Sequence, residues 1–205
     1  MLLLWLTLAC GEQDETETHA VDAWLSQGMP GHWSASPIEG MTRTSKVFIT
    51  EEYRCWRWDS AQGPGVSVGE AVDGQLAWVD SFHGELGEGE PSEALRSYQR
   101  AWSHPRERVE QLEAGWAEGG RWVDPVEDVS GREPLAEHID QTMQGALTKR
   151  FTFVERGGTD LDEGRFRFHW DMQWKKSGNS VLLGWDYGKL DESGRIELLV
   201  GCWER

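Results

Sequence analysis

The C-terminal part of the chain contains four segments in succession that read as β-strands. They cover residues 148–155, 165–174, 180–190 and 195–203, with glycine-rich or charged turns after the second and third. In the second segment Phe166, Phe168, Trp170, Met172 and Trp174 fall on one face, and Arg165, Arg167, His169, Asp171 and Gln173 fall on the other. Because successive side chains of a strand point to opposite faces, we predict an antiparallel sheet with one face in a core and the other facing water.

Three amphipathic helices are predicted before these strands, over residues 92–103, 105–116 and 130–145. Apolar side chains recur at helical spacing in each: Leu95, Tyr98 and Trp102; Val109, Leu112 and Trp116; and Leu135, Ile139 and Met143. The third helix opens with Ser130 and Glu133 in capping-box spacing and ends at Gly145. Helices followed by antiparallel strands indicate an α+β domain, with the helices on one face of a curved sheet.

Residues 20–90 have a different texture and are predicted to form a small β-rich module. After a short helix at 20–29, the segments 45–60, 66–72 and 75–82 are rich in β-branched and aromatic residues. The Asp73-Gly74 pair between the last two indicates a hairpin. Residues 84–92 contain Gly, Glu and Pro and are predicted to be a boundary loop before the second domain at 91–205.

The N-terminus indicates export. Its apolar run, Leu2 to Ala9, is far too short to span a bilayer and is followed by an acidic stretch. The segment 1–10 resembles a bacterial lipoprotein signal, in which Cys10 would be lipidated and become the new N-terminus; an ordinary cleaved signal is the alternative. Gly11 after the cysteine resembles the outer-membrane version, which implies an envelope protein tethered through residues 11–19.

Composition excludes several classes of partner. Lys and Arg number 20 against 36 Asp and Glu, and the formal net charge of −16 repels nucleic acid. The six histidines lack the paired spacing that zinc sites use, and no phosphate-binding glycine loop follows a strand, so we expect neither a metal nor another cofactor. Cys55 and Cys202 could form a disulfide in an oxidising compartment, but their apolar surroundings favour buried free thiols.

Residues 91–205 resemble the SnoaL-like branch of the nuclear transport factor 2-like superfamily. The resemblance rests on the order and spacing of "YQRAW", "GWAEGGRWVDP", "GREPLAEHI" and "LGWDYGKLDESGRIELLVGCW". It implies a cone, in which the sheet curls around a pocket that the helices close. The superfamily includes ketosteroid isomerases, polyketide cyclases and dehydratases, and also many domains without known activity, so the fold does not decide the function.

The resemblance also implies a set of site residues. Asp124 matches the carboxylate that moves a proton, Asp186 the acid that donates to an oxyanion, and Tyr98 lies near the oxyanion tyrosine. The pocket wall is expected to consist of Trp122, His138, Phe168, Trp170 and Trp203. Gly184 and Gly188 share a strand face with Asp186 and are expected to leave open space beside it. The alternative is structural: Asp124 would serve a turn, and the others would belong to a core.

Three functions are compatible with these sequence features. The favoured one is binding of a small apolar molecule in the cone, without strong catalysis, by a domain tethered to the cell envelope. The second is an enzyme that transfers a proton next to a carbonyl group, with Asp124 as the base. The third is an interaction module, since relatives often form homodimers through the sheet.

Overall fold

The computed structural model describes residues 21, 41–45, 47–50, 52–73, 75–84, 86–87, 89–144 and 150–204. The predicted signal at 1–10 with Cys10, the tether at 11–19, Gly145 and all of the helix at 20–29 except Val21 lie outside them. The chain divides into two compact units, one ending at Glu85 and the other beginning at Leu86.

The N-terminal unit contains an antiparallel sheet of short and long strands. These are β1 (Thr42–Arg43), β2 (Phe48–Ile49), β3 (Tyr53–Ser60), β4 (Gly63–Val72) and β5 (Gln75–His83), in the order β1-β3-β4-β5 with β2 also paired to β3. The predicted hairpin is confirmed: Val72 pairs with Gln75, and Asp73 has the left-handed φ of 51° that such a turn requires. Trp56, Trp58 and Val79 lie in the core of this unit.

Three helices open the C-terminal unit: α1 (Glu93–Ser103), α2 (Arg108–Gly115) and α3 (Arg132–Gln144). The hydroxyl of Ser92 caps α1 by accepting a hydrogen bond from the Leu95 amide at 3.2 Å. α2 is shorter than predicted: Val109 is 63% exposed, and Trp116 begins the next strand instead of ending the helix. The capping box at Ser130 was also wrong, because Ser130 ends a strand.

The remaining strands form one sheet behind these helices. They are β6 (Trp116–Val123), β7 (Asp128–Ser130), β8 (Phe151–Asp162), β9 (Arg165–Trp174), β10 (Ser180–Leu190) and β11 (Ile196–Glu204). Their order is β7-β6-β11-β10-β9-β8, and all neighbours are antiparallel except β6 and β11, which are parallel. Three helices with a curved six-stranded sheet confirm the predicted α+β class. Within the described residues, no helix is both long and apolar enough to cross a membrane.

Two expectations about individual side chains were wrong. The polar face of β9 was predicted to face water, yet Arg167, His169 and Asp171 are buried. Two of these groups have local partners: Arg167 Nε donates to Asp160 at 2.6 Å, and the Asp171 carboxylate accepts hydrogen bonds from Ser180 and Gln173. Cys55 and Cys202 were expected to be free thiols, but both are disulfide-bonded.

Candidate active site

Asp186 lies in the middle of β10, on the face of the sheet that carries the helices. Its neighbours across the ladders are Phe168 on β9 and Gly201 on β11. The side chain is buried, and its Oδ1 accepts a hydrogen bond of 2.7 Å from the Trp170 indole. Burial raises the pKa of Asp186 to about 7; the Trp170 hydrogen bond lowers it and the charge of Asp124 raises it.

Asp124 follows the last residue of β6 and performs the turn role that the structural alternative describes. Its Oδ1 accepts hydrogen bonds from the amides of Val126 at 2.7 Å and Glu127 at 2.8 Å. Burial nevertheless raises the pKa of Asp124 to about 6, although these amides and the Trp203 side chain lower it by hydrogen bonding. The Asp124 carboxyl group is therefore fixed by hydrogen bonds but poorly solvated, and a catalytic base with a raised pKa needs such an environment.

The side chains of Asp124 and Asp186 both lie next to Gly201. A Cβ atom built on Gly201 would lie 3.3 Å from Asp124 Cβ and 3.5 Å from Asp186 Oδ1. The next atom is the Val123 carbonyl oxygen at 3.7 Å. The side chains of Asp124 and Asp186 therefore both pack against Gly201 on β11.

Tyr98 points from α1 into the same interior. Its hydroxyl oxygen accepts a hydrogen bond of 3.0 Å from the Trp122 indole, and its ring stacks on Trp116 at a centroid distance of 5.5 Å. Burial raises the pKa of Tyr98 well above 10.0, and the charge of Asp186 raises it further. Tyr98 therefore keeps its proton at neutral pH. Because the oxygen already accepts from Trp122, its hydrogen can be donated elsewhere.

Aromatic rings surround these polar groups. We call this set the aromatic cluster: Tyr98, Trp102, Trp122, His138, Phe153, Phe168 and Trp170. His138 lies 4.7 Å from Trp122, and burial lowers the pKa of His138 while the charge of Glu127 raises it. Phe153, which is 38% exposed, brings the cluster to the surface.

The structure therefore brings the sequence-predicted site residues to one side of the sheet, and it adds three. Trp102 follows Tyr98 by four residues on α1, a spacing that could have placed it on the same helix face. No sequence pattern indicated Phe153 or Gly201. The position of Phe153 depends on how β8 packs, and the position of Gly201 depends on the register between β10 and β11.

The open space expected beside Gly184 and Gly188 is filled. A Cβ on Gly184 would lie 2.2 Å from the Trp170 ring, and one on Gly188 would lie 2.1 Å from the Phe166 ring. Both glycines serve close ring packing from the neighbouring strand. Among the described residues, no group of three or more His, Cys, Asp or Glu side chains is placed to hold a metal ion.

No protein-family profile matches the chain, and no curated protein matches it. Solved structures do. A proposed isomerase of the SnoaL-like family from Agrobacterium tumefaciens is 28% identical, with a TM-score of 0.50 over 55% of this chain and 95% of that one. A proposed polyketide cyclase from Sinorhizobium meliloti is 14% identical, with a TM-score of 0.42 over 54% of this chain and 94% of that one.

A third structure is an NTF2-like protein of unknown function from Cytophaga hutchinsonii. It is 12% identical, with a TM-score of 0.40 over 58% of this chain and 95% of that one. The structural neighbours of this chain, over about half of its length, are therefore SnoaL-like and NTF2-like proteins.

Proposed function

We propose that the C-terminal unit binds a small, largely apolar carbonyl compound and transfers a proton at the carbon next to the carbonyl group. The observation that carries this proposal is the pair of acids, Asp124 and Asp186, whose side chains both lie beside Gly201 in an aromatic interior. Burying carboxyl groups among apolar side chains costs free energy, and such strongly perturbed acids cluster at catalytic sites.

The environments of the two acids divide their roles. With a pKa of about 6, Asp124 is mostly ionised at neutral pH and can take a proton. With a pKa of about 7, Asp186 remains protonated in a large fraction of molecules and can donate a hydrogen bond. Two carboxyl groups whose pKa values differ in this way are suited to act as a general base and as a hydrogen-bond donor.

The reaction is a proton transfer that forms an enolate and then consumes it. The Asp124 carboxylate takes a proton from the carbon, and the electron pair of that C–H bond moves to the carbonyl oxygen, which becomes an enolate oxygen. Protonated Asp186 and the hydroxyl of Tyr98 donate hydrogen bonds to that oxygen. Asp124 returns its proton to a carbon of the enolate, so that the substrate is exchanged or isomerised and the protein is unchanged.

One further observation favours this proposal over binding without chemistry. The structure from Agrobacterium tumefaciens, 28% identical with a TM-score of 0.50, belongs to a protein named as a proposed isomerase. Binding alone gives no reason for a buried acid pair.

The test is hydrogen exchange. We would incubate the purified protein in deuterium oxide with a panel of cyclic and linear ketones and follow the loss of proton NMR signal next to each carbonyl. We expect accelerated exchange of at least one ketone and a loss of about 100-fold or more in Asp124→Asn, since a positioned general base contributes roughly 10²–10⁴-fold. Asp162→Asn, which alters an exposed acid on β8, is the matched control and should exchange like the wild type.

Exchange in Asp124→Asn equal to the wild-type rate would contradict the mechanism. A panel in which no ketone exchanges faster than in buffer would contradict the proposed activity.

We also propose that the protein is a lipoprotein of the bacterial envelope, acylated at Cys10. The support is the apolar run that ends at Ala9 and Cys10, followed by an acidic stretch. In cells fed a radioactive fatty acid, the wild-type protein should become labelled and the Cys10→Ser variant should not.

A homodimer that forms through the sheet stays a prediction. Sedimentation equilibrium of the unacylated protein would measure it.

A further inference from the structure

We propose that a groove between α1 and β8 binds a small zwitterion of the amino-acid class. Arg100 holds the carboxylate group of this ligand, and Glu155 holds its ammonium group. The inference goes beyond the proposed function, because the residues that line the groove belong neither to the acid pair nor to the aromatic cluster. It assigns the C-terminal unit a second binding site.

The groove is a cavity of about 540 Å³ within the C-terminal unit. Ligand pockets typically measure about 300–1,000 Å³, so a small molecule fits this volume. The segment 89–91 and part of β8 form two of its walls. The third wall is a polar face of α1, on which residues three or four positions apart lie side by side: Arg96, Gln99, Arg100 and Ser103.

A bulge in β8 shapes the opposite wall. The pairing of β8 with β9 shifts between Glu155 and Thr159, and Gly157 between them has a φ of 83°, which favours glycine. The bulge is fixed from outside the sheet, because the Gly158 amide donates a hydrogen bond of 2.8 Å to the Gly87 carbonyl oxygen. Two glycines in succession present no side chain, so a ligand can approach the backbone of this wall closely.

The charges that line the groove are only partly paired. Arg96 Nη2 lies 3.0 Å from Glu90 Oε2, so these two charges neutralise each other. Glu155 accepts a hydrogen bond of 3.2 Å from the Gln99 side chain, which is uncharged. Within the described part of the chain, the Arg100 guanidinium has no ion pair and no hydrogen-bond partner. The groove therefore contains one positive and one negative group without an oppositely charged partner.

These two groups determine which ligand fits. A guanidinium binds a carboxylate through two parallel hydrogen bonds, and a carboxylate such as that of Glu155 accepts hydrogen bonds from an ammonium group. The formal net charge of −16 repels a simple anion, whereas the Arg100 guanidinium repels a simple cation. A molecule that carries both charges has a favourable partner for each of them and no net charge for the protein to repel.

The test is an NMR titration of the purified protein with three zwitterions whose charges are increasingly far apart: glycine, β-alanine and γ-aminobutyrate. We expect at least one of them to shift the Arg100 Nε–H and Gln99 side-chain amide signals with saturation. Butyrate and butylamine carry one charge each and should bind at least about 10-fold more weakly, because each lacks the hydrogen bonds to one charged group.

Two substitutions test the assignment of the charges. Arg100→Gln and Glu155→Gln each remove one charge at an exposed position, so both variants should fold. Each should weaken binding of the tightest zwitterion by at least about 10-fold, for the same reason. Arg106→Gln removes the charge of an exposed arginine that does not line the groove, and this matched control should bind like the wild type.

Each contrary outcome has its own meaning. If none of the three zwitterions shifts these signals, the inference is overturned. Butyrate that binds as tightly as γ-aminobutyrate would also overturn it, because the groove would then be a site for simple anions. Unchanged binding in Arg100→Gln would mean that the zwitterion lies elsewhere. Ketone exchange does not enter this test, so the inference and the proposed function can fail independently.

Discussion

The Trp170 indole reaches diagonally from β9 to β10 and donates a hydrogen bond of 2.7 Å to Asp186. The residue directly opposite Trp170 in the ladder is Gly184, and the Trp170 ring lies where a side chain of residue 184 would be. The absence of a side chain at one position therefore sets the hydrogen bonding of an acid two residues away.

Replacing Trp170 with phenylalanine should raise the pKa of Asp186. The ring is kept, but the donor that stabilises the ionised carboxylate is lost. We expect the pKa to rise from about 7 by on the order of one pH unit, because a hydrogen bond to a charged group contributes about 1.5–3 kcal/mol. Carboxyl-carbon NMR titration measures it. Trp174→Phe, an exposed indole on the same strand, is the control and should leave the titration unchanged.

The stability of the protein should fall as the pH rises toward neutrality. The folded-state pKa values of Asp124 and Asp186, about 6 and about 7, lie above the ordinary value of 3.8. Between the unfolded pKa and the folded pKa of each acid, the folded protein binds more protons than the unfolded chain. The stabilisation from this proton binding is therefore complete below about pH 4, and it is lost as the pH rises through the folded-state pKa values.

The variant Asp186→Asn isolates the contribution of one group. Relative to the wild type, its free energy of unfolding should increase by a few kcal/mol between about pH 4 and pH 8, since each pKa unit corresponds to about 1.4 kcal/mol. Urea titrations at both pH values give this difference. A wild-type and variant difference that does not change with pH would mean that Asp186 ionises normally in the folded protein.

The rate of ketone exchange should depend on pH with a narrow maximum. The mechanism requires Asp124 to be ionised and Asp186 to be protonated. The rate should therefore rise as the pH passes the Asp124 pKa of about 6 and fall above the Asp186 pKa of about 7. In Asp186→Asn the fall at high pH should disappear, because the amide donates at every pH, while the rise at low pH remains. A maximum that persists unchanged in this variant would assign the upper limb to another group.

Replacing Gly184 with alanine should destabilise the protein and disturb the site together. The new methyl group would lie 2.2 Å from the Trp170 ring, and such overpacking costs about 1–3 kcal/mol. Moving the ring also breaks its hydrogen bond to Asp186. The control is Gly119→Ala on β6, where an added Cβ meets nothing within 4 Å. Urea denaturation should separate the two variants, and equal midpoints would refute the packing argument.

The parts of the fold that local patterns determine could be predicted from the sequence. β9 and β10 have the predicted bounds, since alternation and turn residues define them. The end of α2 was not predicted correctly, because Trp116 fits both an apolar helix face and a strand. Only the pairing of Trp116 in the β6–β11 ladder decides between the two. The burial of Arg167 also escaped prediction, since a local pattern cannot reveal its partner Asp160 across the β8–β9 ladder.

The candidate site could likewise be predicted only in part. Its residue types could be inferred from a family resemblance, and Asp124, Asp186 and Tyr98 do lie on the same side of the sheet. The sequence could not predict that the space beside Gly184 and Gly188 is filled, because the rotamers of Trp170 and Phe166 decide it. The position of Gly201 beside both acids could not be predicted either, since it depends on the pairing of β11 with β10 and with β6.

The parallel pairing of β6 with β11 has a consequence for the order of events during synthesis. Val123 pairs with Val200, so the strand that precedes Asp124 meets β11 only after residue 200 has been synthesised. Contacts this distant in sequence form slowly and late in folding. Until β11 has left the ribosome, a nascent chain carries Asp124 and Asp186 as two separate, hydrated acids, and the chemistry proposed for them arises only when the last strand joins the sheet.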